Sequence, residues 1–437
     1  MNSFKKQIYE IKKFGYLLFF RKIKTALKVL IYIFLSVITI PILFIVYSIS
    51  SKYLIRFGAL SSERIGHFTC NTELYLCEKK MKINTPKQKY IDLFFCHTIC
   101  NYQLLSMWKK KIIILPKWLL NIFFVTNRFL SKFFNHPKKH EVPDHLGDRD
   151  IYSLYERTEP NLKFTKSEEM IGEAFFEKLK IPKDSKFAIL AVRDNQYLEN
   201  KYPYKDWTRH DTRNQNLDNY LLAAEEVAKR GYYVFRVGGT PFLSKKFNHP
   251  NPKIIDYTHS SLRTDFLDIY LGAKCNFCIS TCFGIDGVPR IFRRPVVTIM
   301  GEVISFPTSS PKELILMRPY LKLNENKRLG INEILVPEIA TLWSTQECNS
   351  KGIKILDNTQ EEIRDITIEM MDRLEGRWIE DASDEVLQNN FWRKFSEMYN
   401  QYKIEYVEKK GYHLMHGILK AKMGASYLRN NFNIKLN

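Results

Sequence analysis

The feature that most restricts the fold is a pattern in the second half of the chain. Apolar, β-rich runs at Phe187–Val192, Tyr232–Val237, Lys253–Tyr257, Asn276–Ser280, Pro295–Met300 and Gly352–Leu356 are separated by stretches that include segments of helical spacing. Strands that are apolar throughout are buried on both faces, which requires helices on both sides of a parallel sheet. The intervening "LDNYLLAAEEVAKRG" stops at Gly231, and "TQEEIRDITIEMMDRLEG" runs from a Thr359-x-x-Glu362 capping box to Gly376. The fold class is therefore α/β with a parallel sheet, and ligands of such sheets bind beyond the carboxyl ends of the strands.

Those ends are where the polar residues gather. The first strand runs into "VRDNQYLENKYPYKDWTRHDTRNQN", residues 192–216, with Arg193, Arg209 and Arg213 among four acidic residues. The second exits into "RVGG", Arg236 to Gly239, the third into "IIDYTHSSLRTDFLD", and the fourth into "STCFGIDGVPRIFRRP". Guanidinium forks match phosphate oxygens, and glycines before a helix let backbone N–H groups approach a phosphate. One such end is an ordinary ion-paired turn as readily as a site; four together point to a phosphate-bearing ligand. The seat expected in "STCFGIDGV" is built from Ser280, Thr281 and Gly284.

Cys275, Cys278 and Cys282 are spaced like metal ligands, but a β-type run flanks Cys278 and no fourth ligand stands near, so they are read as buried thiols. His67, His97 and His210 are isolated, and no metal site is expected. Eight scattered cysteines fit free thiols in a reducing compartment.

The N-terminus differs from the rest. Residues 1–28 carry eight Lys or Arg against one Glu, and Val29–Ser51 runs without a charge around Pro41. As a helix this segment is on the order of 30 Å long, the thickness of a hydrocarbon core. A membrane-embedded helix is expected, with the body on the cytoplasmic face of the inner membrane and Val29–Ser51 re-entrant or interfacial. The segment 116–134, with Trp118, five phenylalanines, Lys117, Arg128 and Lys132, reads equally as a core helix or as an interfacial one. The net charge of +20 suits an acidic partner. Much of that charge flanks apolar segments and no nucleic-acid motif occurs, so a membrane fits better than nucleic acid.

The second half also resembles bacterial glycosyltransferases of GT-B type found in surface-polysaccharide gene clusters. The resemblance is carried by "VRD" at 192–194, "HDTRNQNLDNYLLA" at 210–223, "RGYYVFRVG" at 230–238, "IIDY" at 254–257, "LRTDFLDIYLGAKCNF" at 262–277, "IFRRPVV" at 291–297 and "DNTQEEI…EMMDRLEG" at 357–376. It covers about residues 184–380 and extends faintly through "RIGHF" and "NTELYL" near 64–76. A more distant likeness to fucosyltransferase-type folds implies that Arg193 grips a nucleotide diphosphate. Thr281-Cys282-Phe283 departs from the small residues that often precede the glycine of the seat.

The resemblance implies a GT-B-like arrangement of two Rossmann-type domains with parallel sheets plus an N-terminal membrane helix. The expected division is 1–51 as basic N-terminus and membrane helix, 52–150 as acceptor-side α/β domain, 151–183 as linker, 184–380 as nucleotide-sugar domain and 381–437 as helical tail. The implied function is transfer of a sugar from a nucleotide-sugar donor to a surface-polysaccharide or lipid-linked acceptor, without a metal or other cofactor. The alternatives are a nucleic-acid-binding protein and a non-catalytic membrane scaffold. Arg193, Arg236 and Arg263 are candidates for the diphosphate, with Arg213, Asn214, Gly238, Asp256 and Asp265 beside them in the donor site. Asp194 or His67 is the candidate base.

Overall fold

The computed structural model describes residues 16–143, 149–194, 199–200, 207–240 and 243–432. In chain order, the first elements are α1 (Tyr16–Ser48), β1 (Leu54–Leu60), α2 (Ile65–Met81), β2 (Tyr90–Cys96), α3 (Tyr102–Lys109), β3 (Ile113–Ile114), α4 (Lys117–Leu130), α5 (Lys166–Lys178) and β4 (Phe187–Ala191). There follow α6 (Leu221–Lys229), β5 (Tyr233–Arg236), β6 (Ile254–Asp256), α7 (Asp265–Lys274), β7 (Phe277–Ser280), α8 (Gly287–Ile291), β8 (Val296–Met300) and β9 (Glu313–Met317). The last are β10 (Tyr320–Lys322), β11 (Lys327–Arg328), β12 (Ile353–Ile355), α9 (Gln360–Leu374), α10 (Ala382–Tyr402), β13 (Lys422–Met423) and α11 (Ala425–Asn431). Short helical turns lie between some of these.

The chain forms two compact units. The first comprises Met1–Glu63, Asn84–Ile99 and Trp108–Asp144. Its sheet is parallel, in the order β1-β2-β3, with Leu54 opposite Tyr90 and Leu60 opposite Cys96. The register places Arg56 opposite Asp92, and the two meet bidentately at 2.6 and 2.8 Å within the buried interior. Leu43 of α1 and Leu120 of α4 complete a small core with Phe57 and Phe95 of the strands.

The second unit comprises Arg64–Ile83, Cys100–Met107 and His145–Asn437. Its main sheet has the order β13-β9-β8-β7-β4-β5-β6, and every pairing is parallel. β4, β5, β7, β8 and β9 are buried along most of their length, as continuous apolar runs require. From β4 the chain adds strands first on one side, then returns and adds β7, β8 and β9 on the other. The gap between β4 and β7 is the topological switch point, where doubly wound sheets bind ligands.

Both parallel sheets expected from the sequence are present, and several details differ. Gly352–Leu356 forms β12 of a separate antiparallel sheet, β11-β10-β12, rather than a strand of the main sheet. β9 and β13 enlarge the main sheet although neither was expected. Helix α2 and most of α3 fall within the second unit, although they lie inside the span 52–150 expected as one domain. Residues 151–183, expected as a linker, hold a short helix at Leu154–Arg157 and α5, which opens on a Thr165–Glu168 capping box and buries Phe175. Residues 381–437 are an integral part of the second unit: Phe391 and Phe395 of α10 lie fully buried in its main core, and β13 forms its edge.

The start of α9 follows the sequence closely. Thr359 Oγ1 accepts the Glu362 N–H at 3.2 Å, and the Glu362 carboxylate accepts the Thr359 N–H at 3.1 Å. Thr359→Ala should cost about 1 kcal/mol of stability, the usual worth of such a cap. Denaturant unfolding measures it, and the cap lies away from the cleft described below, so ligand binding should be unchanged.

Candidate functional site

The carboxyl ends of β4, β5, β7 and β8 open into a cleft of about 1340 Å³ within the second unit. The N-terminus of α2, the turns after β4, β5 and β7, and residues 415–417 of the tail contribute to its walls. His67, Arg193, Asp194, Arg213, Gly238, Arg263 and Gly284 all line it.

The exit of β4 is fixed by the strand next to it. The Arg193 N–H donates to Thr281 Oγ1 at 2.9 Å, which joins the two sides of the switch point. The Arg193 side chain is 7 % exposed and donates from Nε to Asn214 Oδ1 at 3.3 Å. Among the described residues it makes no ion pair. Burial, and then the neighbouring Arg213, push its pKa down to about 10, and the more distant Glu302, Asp194 and Asp211 offset this only in part. Arg193 remains a cation at neutral pH, and its side-chain hydrogen bond is to the neutral Asn214 amide rather than to a carboxylate.

The other arginines are engaged. Arg213 grips Glu302 with Nε 3.0 Å from each carboxylate oxygen and Nη2 at 2.8 Å. Arg236 lies beneath the cleft, 2 % exposed, between Asp256 at 3.5 Å and Asp194 at 3.9 Å. Arg263 donates to the Gly238 and Gly239 carbonyls at 3.2 and 3.3 Å and pairs with Asp268. It thereby fixes a turn in which both glycines have positive φ, and the Phe283 ring packs where a Gly238 β-carbon would be.

The remaining expected residues act inside the protein and do not line the cleft. Ser280 is fully buried, donating to Asp286 and accepting the Cys282 N–H. Thr281, 1 % exposed, receives Arg193 as above. Asn214 orients Arg193, and Asp256 accepts from the Phe247 N–H and faces His259 at 2.8 Å. Asp265 accepts the Tyr102 N–H at 2.6 Å and so holds the start of α3. In the charge-rich loop, residues 195–198 and 201–206 lie outside the described residues, as do the side chains of Arg209 and His210. Its end is pinned: Thr212 donates to Glu302 at 2.7 Å, and Gln215 donates to the carbonyls of Arg193 and Ile299.

Residues missed in the sequence shape the cleft as much. Gly284 meets Gly66 of α2 so closely that a β-carbon on Gly66 would stand 2.8 Å from the Gly284 Cα. This contact sets the α2 N-terminus against the loop after β7. Arg64 at its cap position supplies no side-chain acceptor, and the first turn holds no acid. The N–H groups of Ile65, Gly66 and His67 therefore begin a helix without a side-chain cap, at residues that line the cleft. Below the same loop, Arg290 pairs with Asp286 at 2.7 Å and Glu313 at 2.8 Å. Cys282 takes a left-handed φ of 58°, and burial pushes its thiol up to about 11. Cys275 and Cys278 are buried thiols, and none of the described cysteines is joined in a disulfide. Among the described residues no three His, Cys, Asp or Glu are grouped to hold a metal ion.

His416 was the largest omission. It lines the cleft at 5 % exposure, with its Nδ1 3.5 Å from Thr308 Oγ1. Only the order "YHLMHG" in an uncapped tail marked it in the sequence.

No known protein family matches the sequence, and no curated protein matches it. Solved structures similar to it include E. coli ADP-heptose lps heptosyltransferase II, at 11% identity over 73% of this chain and 98% of that one, with a TM-score of 0.39. A glycosyl transferase family 9 protein from Veillonella parvula is 11% identical over 60% of this chain and 86% of its own, with a TM-score of 0.36. The E. coli heptosyltransferase WaaC with ADP-2-deoxy-2-fluoro heptose is 12% identical over 61% and 94%, with a TM-score of 0.33. Likeness at this level does not fix an activity.

Burial, and then Arg149, push His416 down to about 3 from the ordinary 6.5, with partial compensation from the Ile304 carbonyl. Between those values the unfolded chain binds a proton that the folded one refuses, so stability falls as pH drops through this window. His416→Asn should narrow the difference between urea midpoints at pH 7 and pH 5 relative to the parent. An unchanged difference would show that the imidazole is not buried in its neutral form.

Proposed function

We propose that the protein is a membrane-associated glycosyltransferase that moves a sugar from a nucleotide-sugar donor to a surface-polysaccharide or lipid-linked acceptor. The observation that carries this reading is the buried, unpaired Arg193 guanidinium at the switch point of a doubly wound sheet. A buried cation whose surrounding carboxylates compensate it only in part is stabilised by an incoming anion, and a bidentate fork suits a diphosphate.

The uncapped first turn of α2 offers N–H groups to the same charge. In this reading the two together stabilise the departing diphosphate, without a resident metal. Gly238 and Gly284 let the backbone approach the donor, while Arg236, Arg263, Ser280 and Thr281 brace the turns that carry it. His67, at the start of α2 and in the cleft wall, is assigned as the base for the acceptor hydroxyl. It is preferred to Asp194, whose carboxylate is turned toward the Arg236 cation at 3.9 Å. The cleft also holds Trp207 and Trp343, apolar surfaces suited to a base or a sugar ring. The apolar, basic N-terminus is assigned to the cytoplasmic face of the inner membrane, where nucleotide sugars are made.

Arg193→Ala should weaken nucleoside diphosphate binding by about 1.5–3 kcal/mol, roughly ten- to more than a hundredfold, with little change in the melting temperature without ligand. Isothermal titration with UDP, GDP, dTDP and ADP and their sugars measures this. Equal affinity in a folded variant would remove the assignment.

A further inference from the structure

In the first unit, two helices are built inside out. From Phe34 to Ser51 only 17% of α1 and the turn that follows is buried, so this is not a core helix. Its protein-facing stripe is Ser36, Thr39, Ile40, Leu43, Val46, Tyr47 and Ser50, four of them hydroxyl-bearing. Its outer face is Phe34, Val37, Ile38, Ile42, Phe44, Ile45 and Ile49. Helix α4 shows part of the same inversion: Asn121, Thr126 and Asn127 are buried together with Leu120 and Ile122, while Trp118 is 80 % and Phe129 55 % exposed, with Phe133 and Phe134 just beyond. A helix with water outside shows the opposite pattern.

The inner stripes are joined to each other. Ser36 and Thr39 hydroxyls meet Thr126 Oγ1 at 2.9 and 3.1 Å, and the Tyr47 hydroxyl donates to Asn127 Oδ1 at 2.7 Å. Leu43 packs on Phe57 and Phe95 of the sheet. The apolar part of α1 is therefore fastened, along its middle, to a folded body. If α1 crossed a bilayer upright, it would carry a three-stranded sheet with open edges into hydrocarbon, which lipid does not tolerate. The earlier turns of α1 offer no other span, since Arg21, Lys22, Lys24 and Lys28 interrupt them.

We propose that α1 and α4 form one docking face that lies in the plane of an anionic membrane and does not cross it. Charge selects the occupant: residues 108–143 carry eight Lys or Arg against a single acid, Glu141, and Lys109, Lys110, Lys111, Lys117, Arg128 and Lys132 are exposed. A second protein copy of the same charge would be repelled, whereas anionic headgroups take lysines beside an aromatic boundary layer. The inference refines the membrane association proposed above and is independent of the transferase reading.

Two measurements on the full chain test it. In flotation with phosphatidylcholine vesicles, with or without phosphatidylglycerol, binding should need the anionic lipid. Lys117→Gln, Arg128→Gln and Lys132→Gln together should weaken it roughly a hundredfold, at about fivefold per charge. Flotation with neither vesicle would remove membrane association altogether. In native membranes, epitope tags at the two ends should be cut by an impermeant protease in the same vesicle orientation, because both lie on one side. Cleavage of the tags in opposite orientations, with flotation intact, would make α1 a span and overturn the in-plane arrangement alone.

Discussion

The buried ion cluster of Asp286, Arg290 and Glu313 organises the second unit. Asp286 and Glu313 are each 4 % exposed, and both carboxylates meet the same guanidinium. Burial opposes the charge on Arg290, but the two carboxylates outweigh it and hold the group ionised. Thr298 of β8 receives one Arg290 N–H and donates to Glu313 of β9, and Ser280 at the end of β7 donates to Asp286. Three neighbouring strands and the loop between β7 and α8 are thus held by one cation. Removing a single member would leave a buried charge uncompensated, which generally costs several kcal/mol. The loop that this cluster holds is the one whose Gly284 meets Gly66, so the position of α2 in the cleft wall follows from it.

A related economy explains the charge after β4. Among the described residues, the charge at the two ends of this loop is buried or half-buried. Glu302 takes both Thr212 and Arg213, and Arg318 donates to the Thr212 and Leu356 carbonyls and to Asp357. The loop is held from the ends of β8 and β9, and Arg193 is left with one neutral partner. In the proposed reading, preference for an anionic ligand rests on that imbalance rather than on the number of arginines.

How much of this was legible follows from the range of each interaction. Strands β4 to β8 and helices α6 and α9 are visible because continuous apolar runs and caps are local. The cleft-lining roles of Arg193, Arg263 and Gly284 are legible for the same reason, since each follows directly on a strand or turn signal. β9 was hidden because Glu313 opens it with a charge, neutralised only by the distant Arg290. β13 is two residues long and carries no local signal at all. Arg236, Asp256 and Asp265 read as ligand-facing because polar residues at strand ends and helix starts look alike whether they turn outward or inward. Glu302 and His416 depend on partners far away in the chain, which no spacing reveals. The apolar half of α1, from Val29, was recognised by its lack of charge, but the turns from Tyr16 to Lys28 were not expected as helix, and its orientation depends on hydroxyl pairs with Thr126 and Asn127 that only the folded unit brings together.

The edge strand β13 also has a consequence for synthesis. Met423 pairs with Ile315, so β9 leaves the ribosome about a hundred residues before its outer neighbour exists. At the usual pace of translation that interval is on the order of 5–20 s. For that time the nascent sheet presents an unpaired, wholly buried-type strand, "ELILM", to whatever is nearby. The residues that follow β12, including α10 with Phe391 and Phe395, emerge in the same interval and have no other core to join. The main sheet is therefore completed only once Lys422 and Met423 have left the exit tunnel, and chaperone contact during elongation should concentrate on β9.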